Sequence, residues 1–314
     1  MNWCYFAIMK LKIASLLFVA CVPTLCAAQQ QRPGHASEWV RLSGAQVRLV
    51  ALPVDPSGPD AWQSAGVEIR LEPGVKTYWR APGDTGVPPT IDFSPSQGVR
   101  ELTLDFPAPV GFDDGAGGMA IGYRETQIFP VRFKLEKPAE PTSTGGGFFS
   151  RKVEAPPPPV PPKLEMNIEF GICTKNMCVP AQAKAALPLG GGTLEAALGD
   201  RIAAANARVP VRQKVGAPGA VGISSVHVRR KAGMAEIEVA ARVGNDTGTA
   251  GLFIEAKETL VAKRTDAPIG GSVVFRAKTA DPADGKLGEA RITLATDKGA
   301  VDVLVDLDAA ARRP

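Results

Sequence analysis

The sequence predicts an all-β protein built as two β-sandwich domains. Three observations lead there. Apolar and polar side chains alternate with a period of two through many short segments. Gly, Pro and Asp clusters punctuate the chain between those segments; the 314 residues include 33 glycines and 28 prolines. Helical spacing occurs in one short stretch, so packed sheets must supply the cores.

The chain opens on an export signal. Lys10 and Lys12 precede an apolar run, residues 13–22, interrupted by Ser15, and Pro23 ends it. Cys26-Ala27-Ala28 offers small residues at the cleavage positions. The run is too short to anchor in a bilayer. Cleavage is expected after Ala28, giving a signal peptide over 1–28, and Met9 would start an equally well-formed signal. The rival is lipoprotein processing before Cys21, which Phe18-Val19-Ala20-Cys21 matches poorly because a phenylalanine stands where leucine is usual. No later stretch approaches the ~20 apolar residues of a membrane span. The mature chain is therefore expected to be exported and soluble.

The first domain is expected over 29–192. A polar tail to about Ser37 reads as disordered. Residues 46–52 and 67–71 alternate as half-buried strands, and 76–80 forms another after Pro73-Gly74. Residues 81–89 hold three prolines and two glycines and read as loop. Strands recur at 90–93, 99–106 and 127–135, with a long irregular excursion over 107–122. Residues 137–162, with Gly145-Gly146-Gly147 and Pro156 to Pro159, cannot build a core and read as an insertion between two strands. Phe148-Phe149 inside it is either a docking peptide or local packing. The strand that resumes at 163–170 places Leu164, Met166, Ile168 and Phe170 on one face, and 183–189 closes the domain.

Residues 193–222 read as a short helix and linker. Thr193 is a candidate cap, Glu195 suits a first turn, and Leu194, Leu198, Ile202 and Ala205 share a face. A second, smaller sandwich follows over 223–314, with strands at 224–229, 235–243, 251–254, 272–278, 290–295 and 300–307. Asn245-Asp246 and Asp297-Lys298-Gly299 read as turns.

Charge gives no argument for a nucleic-acid protein. Lys10 and Lys12 are the charged residues of the signal, so removing it lowers the formal charge from +4 to +2. The basic knot Arg229-Arg230-Lys231 reads as a solvated strand end, and aromatics are too few for a base-stacking surface. The chain contains no Gly-x-Ser-x-Gly, phosphate loop, His-Glu-x-x-His or dinucleotide fingerprint. Asp113-Asp114 lacks further calcium ligands and reads as solvated loop. No cofactor is expected.

Two of the five cysteines survive signal removal, because Cys4, Cys21 and Cys26 leave with it. The remaining pair is Cys173 and Cys178, at or near a turn between two strands. Their spacing allows a disulfide if the α-carbons come within about 7 Å. Three readings stay open. A structural staple would constrain so short a loop little. Dithiol–disulfide exchange gives a reason for two sulfurs within a bond's reach, one attacking and one resolving. Cys173, Met177 and Cys178 also form a soft sulfur set suited to Cu(I). A zinc site is not expected, since His35 and His227 are distant in sequence and read as ordinary surface or strand residues. No helix follows Cys178 to stabilise a thiolate, so speed in exchange would come from docking against a partner.

Five separated motifs carry a resemblance to a known family. In order they are Gly74-Val-Lys-Thr-Tyr-Trp-Arg-Ala-Pro-Gly-Asp-Thr-Gly-Val-Pro-Pro89, Phe106-Pro-Ala-Pro109, Ile121-Gly-Tyr-Arg-Glu125, Phe129-Pro-Val131, and Gly171-Ile-Cys173 with Cys178-Val-Pro-Ala181. Residues 39–189 thereby resemble the periplasmic amino-terminal domain of the thiol:disulfide interchange protein DsbD, in the version found in the suppressor-of-copper-sensitivity membrane reductases. Leu252-Phe-Ile-Glu255 is similar to a segment of that branch's second β-domain.

The resemblance implies an immunoglobulin-like sandwich in the periplasm that passes electrons from a thioredoxin-like domain to periplasmic acceptors. It also implies that Cys178 attacks the partner disulfide and Cys173 resolves it. A cap loop matching 107–122 is expected to shield the pair, with Tyr78, Phe112 and Tyr123 as the shielding aromatics or, alternatively, as core residues. The family's aromatic cap tip is replaced here by Gly115 to Gly118. The full reductases continue into membrane helices and a thioredoxin domain. This chain carries neither, so a separate membrane electron carrier is expected as donor, with thioredoxin-like proteins as partners.

Overall fold

The computed structural model describes residues 31–311 apart from 84–85, 114–117, 138–160, 176, 246–247, 270–271, 281 and 283. The expected signal peptide over 1–28, Phe148-Phe149 with nearly all of the 137–162 insertion, and residues 115–117 of the expected cap tip lie outside the described residues.

The first sandwich opens with β1 (Gly34–Ala36), β2 (Val40–Leu42), β3 (Ala45–Ala51) and β4 (Gln63–Leu71). The middle of the domain holds β5 (Lys76–Gly83), β6 (Thr90–Asp92), β7 (Val99–Leu104), β8 (Val110–Asp113), β9 (Met119–Arg124) and β10 (Thr126–Leu135). It closes with β11 (Lys163–Cys173), β12 (Cys178–Pro188), β13 (Thr193–Glu195) and helix α1 (Leu198–Ala207). Among the described residues these strands form two sheets. One runs β13-β1-β3-β4-β10-β7 with β2 beside β3; the other runs β12-β11-β5-β9-β8 with β6 beside β11.

The inner faces meet as the period-two pattern requires. Val47, Leu49, Val67 and Ile69 face Leu164, Met166 and Ile168, all at most 2% exposed, with Trp79, Phe129 and Phe133 among them. Each such side chain contributes about 1.5–3 kcal/mol of apolar burial.

The outer face of β3, β4 and β10 is also covered. Helix α1 lays Leu198, Ile202 and Ala205 against Val50 and Ile128. This cover explains a buried ion cluster. Arg48 Nε bonds Glu68 Oε2 at 2.7 Å and its terminal nitrogen bonds Glu195 Oε1 at 2.6 Å, with Arg48 4% and Glu68 0% exposed. Arg201 of α1 completes the pairing with Glu68. Arg48 and Arg70 also stack on the Trp39 ring, at 4.1 and 4.5 Å.

Several local expectations change. Thr193 and Glu195 do not cap the helix; with Leu194 they form β13, paired to β1. The pairing also gives residues 34–36 of the expected disordered tail a strand partner on each side. The N-cap of α1 is Ala197, in a left-handed conformation with no side-chain cap bond. The excursion over 107–122 contains the β8–β9 hairpin.

The second sandwich follows β14 (Val211–Arg212), which lies in the expected linker and pairs in parallel with β21. Its strands are β15 (Val221–Lys231), β16 (Met234–Val243), β17 (Gly251–Glu255), β18 (Thr259–Ile269), β19 (Ser272–Ala280), β20 (Glu289–Thr296) and β21 (Gly299–Asp306), ending in helix α2 (Leu307–Ala311). Their order is β14-β21-β20-β17-β18-β19-β16-β15. Strand β18 pairs β17 through its first half and β19 through its second, so one sheet folds over a core of its own. Arg229, Arg230 and Lys231 stand exposed at the end of β15, as expected.

Strand β17 is apolar on both faces for a reason. Leu252 and Ile254 fill the second core, whereas Phe253 and Glu255 point to the first sandwich. Phe253 meets Trp79 with ring centroids 5.9 Å apart, and Arg80 bonds Glu255 through two nitrogens, at 2.7 and 3.0 Å.

Candidate functional site: a disulfide at a hairpin end

Strands β11 and β12 pair without a slip from Lys163 opposite Pro188 to Cys173 opposite Cys178. The two cysteines are therefore the last cross-strand pair before the turn. Their α-carbons stand 4.0 Å apart and their sulfurs are joined. The turn closes on itself: Thr174 N–H donates to the Met177 carbonyl at 2.9 Å, and Met177 N–H donates to Thr174 Oγ1 at 3.2 Å.

The two sulfurs have unequal surroundings. Cys173 is 2% exposed and clusters with Tyr78, Phe112 and Ala120. Cys178 is exposed. Tyr78 Oη lies 3.1 Å from Cys178 Sγ, and since a disulfide sulfur has no proton the hydroxyl is the donor. A groove of about 280 Å³ opens beside Cys178, lined by Tyr78, Val87, Pro88, Val179 and Pro180 among others. Val87 and Val179 of its lining are 68% and 45% exposed, and Met177, next to Cys178 in the chain, is 63% exposed.

Tyr78 reaches the sulfur because the backbone leaves room for its ring. A Cβ on Gly171 would stand 3.1 Å from two of the ring carbons. Gly122 allows β5 and β9 to close up, since a Cβ there would meet the Thr77 carbonyl oxygen at 1.9 Å. Phe112, on β8, belongs to the same buried cluster as Cys173. Lys76 Nζ sits 4.4 Å from its ring and donates to the Asp113 carbonyl at 3.3 Å, tying the hairpin to β5.

Of the three aromatics expected to shield the pair, Tyr78 and Phe112 gather at Cys173 and Tyr123 does not. Tyr123 turns into the main core, edge-on to Phe129 at 5.0 Å, and its hydroxyl donates to the Pro107 carbonyl at 2.7 Å. Burial pushes its phenol well above the ordinary tyrosine range. Tyr123 takes the core role that the sequence left as its alternative. Met177 sits exposed in the turn. Among the described residues no three His, Cys, Asp or Glu side chains gather as a metal site. His35 lies in β1 and His227 in β15.

The described residues thus form an all-β fold with a hairpin-end disulfide, Cys173 covered and Cys178 open. Residues 50–189 match the family described as thiol:disulfide interchange protein DsbD, N-terminal, and the resemblance carried by the five motifs is borne out. The crystal structure of the N-terminal periplasmic domain of ScsB from Proteus mirabilis aligns with a TM-score of 0.59 at 20% identity. That alignment covers 87% of this chain and 98% of the other. The likeness is one of fold, and it spans both sandwiches. The YadV chaperone aligns at a TM-score of 0.17 and 11% identity, covering 78% of this chain and 92% of that one, which carries no argument. No curated protein matches the chain. Among the described residues no helix is long and apolar enough to cross a membrane.

Proposed function

We propose that this chain is a periplasmic thiol–disulfide exchange protein, its signal removed near Ala28. It relays reducing equivalents from a separate membrane electron carrier or thioredoxin-like donor to periplasmic acceptor proteins. The observation that carries this reading is the unequal exposure of the two joined sulfurs. A donor thiolate has access to Cys178 Sγ from the groove, whereas Cys173 Sγ is covered.

In the loading step the donor thiolate attacks Cys178 Sγ. The Cys173–Cys178 bond breaks, and Cys173 leaves with the electron pair and takes up a proton. The donor's second thiol then displaces Cys178 from the mixed disulfide, so the donor is oxidised and this pair gains two electrons and two protons. Unloading reverses the sequence on an acceptor. Cys178 attacks the acceptor disulfide and Cys173 resolves the mixed disulfide. The Tyr78 hydroxyl stabilises the Cys178 thiolate in both directions, because hydrogen bonds to a charged acceptor are the stronger kind. Strand register holds Cys173 beside Cys178 throughout, which keeps resolution intramolecular and fast.

Graded reduction of the folded protein, followed by alkylation and mass measurement, tests the proposal. The expected result is a pair that opens and recloses reversibly under native conditions. A bond that stays closed under strongly reducing native conditions rules exchange out.

A further inference from the structure

The second sandwich touches both elements that cover the disulfide. Strand β5 carries three consecutive residues with three jobs. Tyr78 donates to Cys178, Trp79 packs on Phe253, and Arg80 is gripped by Glu255. The hairpin bearing Phe112 meets the same neighbour one residue earlier: a Cβ on Gly111 would lie 3.5 Å from Phe253 Cε1 and 3.7 Å from Val261 Cγ1. Among the described residues strand β8 is the end strand of its sheet, paired to β9 alone. On that side the hairpin has the β17–β18 surface for support. The support is narrow, because a cleft of about 890 Å³ opens alongside it between the sandwiches.

Resting on the exchange reading above, we propose that Phe253, Glu255 and Val261 are positioning residues for the redox pair. They hold β5 and the β8–β9 hairpin in register over Cys173, and so the second sandwich sets how readily the disulfide is reached. No chemistry is assigned to the second sandwich itself. Packing transmits the effect, because close-packed side chains pass on small displacements rather than absorbing them.

The test measures the rate at which dithiothreitol reduces Cys173–Cys178 in the full chain, with alkylation trapping at timed points. Glu255→Ala combined with Val261→Ala removes the support while leaving the aromatic contact, and is expected to raise the rate about fivefold. In a background carrying both Phe112→Ala and Tyr78→Ala the same pair of substitutions is expected to add nothing, because both covers they steady are already gone. General loosening of the fold would instead accelerate both backgrounds alike, and that result overturns the proposal. An unchanged rate in the double variant overturns it too, while leaving the exchange reading intact. A wild-type disulfide that dithiothreitol does not open sinks the exchange reading and this inference together. Glu255→Gln alone, at a half-buried position, carries the same two-background comparison if the double variant does not fold.

Discussion

The two sandwiches use similar aliphatic cores and differ in what occupies their outward positions. In the first, outward positions of β3 and β4 hold Arg48 and Glu68, sealed beneath α1. Its β11–β12 hairpin ends in joined sulfurs. In the second, the outward face of β17 is spent on the neighbour, through Phe253 and Glu255. A sandwich core needs only every second residue of a strand. The difference between these domains lies in the alternate residues, one set building a site and the other leaning on it.

Removing either cysteine is the strongest way to break that contrast. Cys178→Ser is expected to abolish exchange, and Cys173→Ser to leave a trapped mixed disulfide with a thioredoxin-like partner, seen on a non-reducing gel. Trapping by Cys178→Ser instead would reverse the two roles.

Next in size is the buried ion cluster. Glu68→Gln is expected to cost about 3 kcal/mol in denaturant unfolding, because Arg48 is left buried with one partner fewer. A surface pair in the second sandwich, Lys257 with Asp284, has both side chains more than half exposed. Asp284→Asn is expected to leave the unfolding midpoint in place. Equal losses at the two sites would erase the distinction between a buried and an exposed ion pair.

A smaller effect attends the hydroxyl at the sulfur. Tyr78→Phe is expected to slow exchange about fivefold, the size of one hydrogen bond of roughly 1 kcal/mol, with the unfolding midpoint unchanged. A shift in midpoint without a change in rate would make Tyr78 a packing residue.

The smallest is a pH effect. The Arg48 guanidinium holds the Glu195 carboxyl below the ordinary glutamate value of 4.5. A depressed folded value means that the stabilisation is present above that ordinary value and is lost as pH falls through the folded one. Glu195→Gln is expected to flatten the acid limb of the stability curve below pH 4.5 and to leave neutral pH exchange untouched.

Much of this was legible in the sequence. Alternation in 163–170 locates β11, and the strands on either side place the cysteine pair at or near a turn. What escaped has physical causes. Thr193 and Glu195 look like a helix start, yet Glu195 answers to Arg48, 147 residues away. The β8–β9 hairpin hides in a glycine-rich stretch because its strands are short and one of them is an edge. Arg48 and Glu68 occupy positions that period-two reading sends to solvent, and only the placement of α1 buries them. Strand β18 was missed entirely; Lys263, Arg264 and Thr265 interrupt its apolar pattern where it passes between the two halves of the folded sheet. Tyr78 and Tyr123 were indistinguishable as sequence, and their different neighbours, a sulfur and a carbonyl, come from the topology.

The uninterrupted pairing of β11 with β12 has one more consequence. Hydrogen bonds along the whole hairpin hold its tip independently of the sulfur bond. Under the proposed function, supplier and customer would meet at one doorstep, the exposed sulfur of Cys178. The two would then take turns there, the traffic ordered by how long each visitor stays.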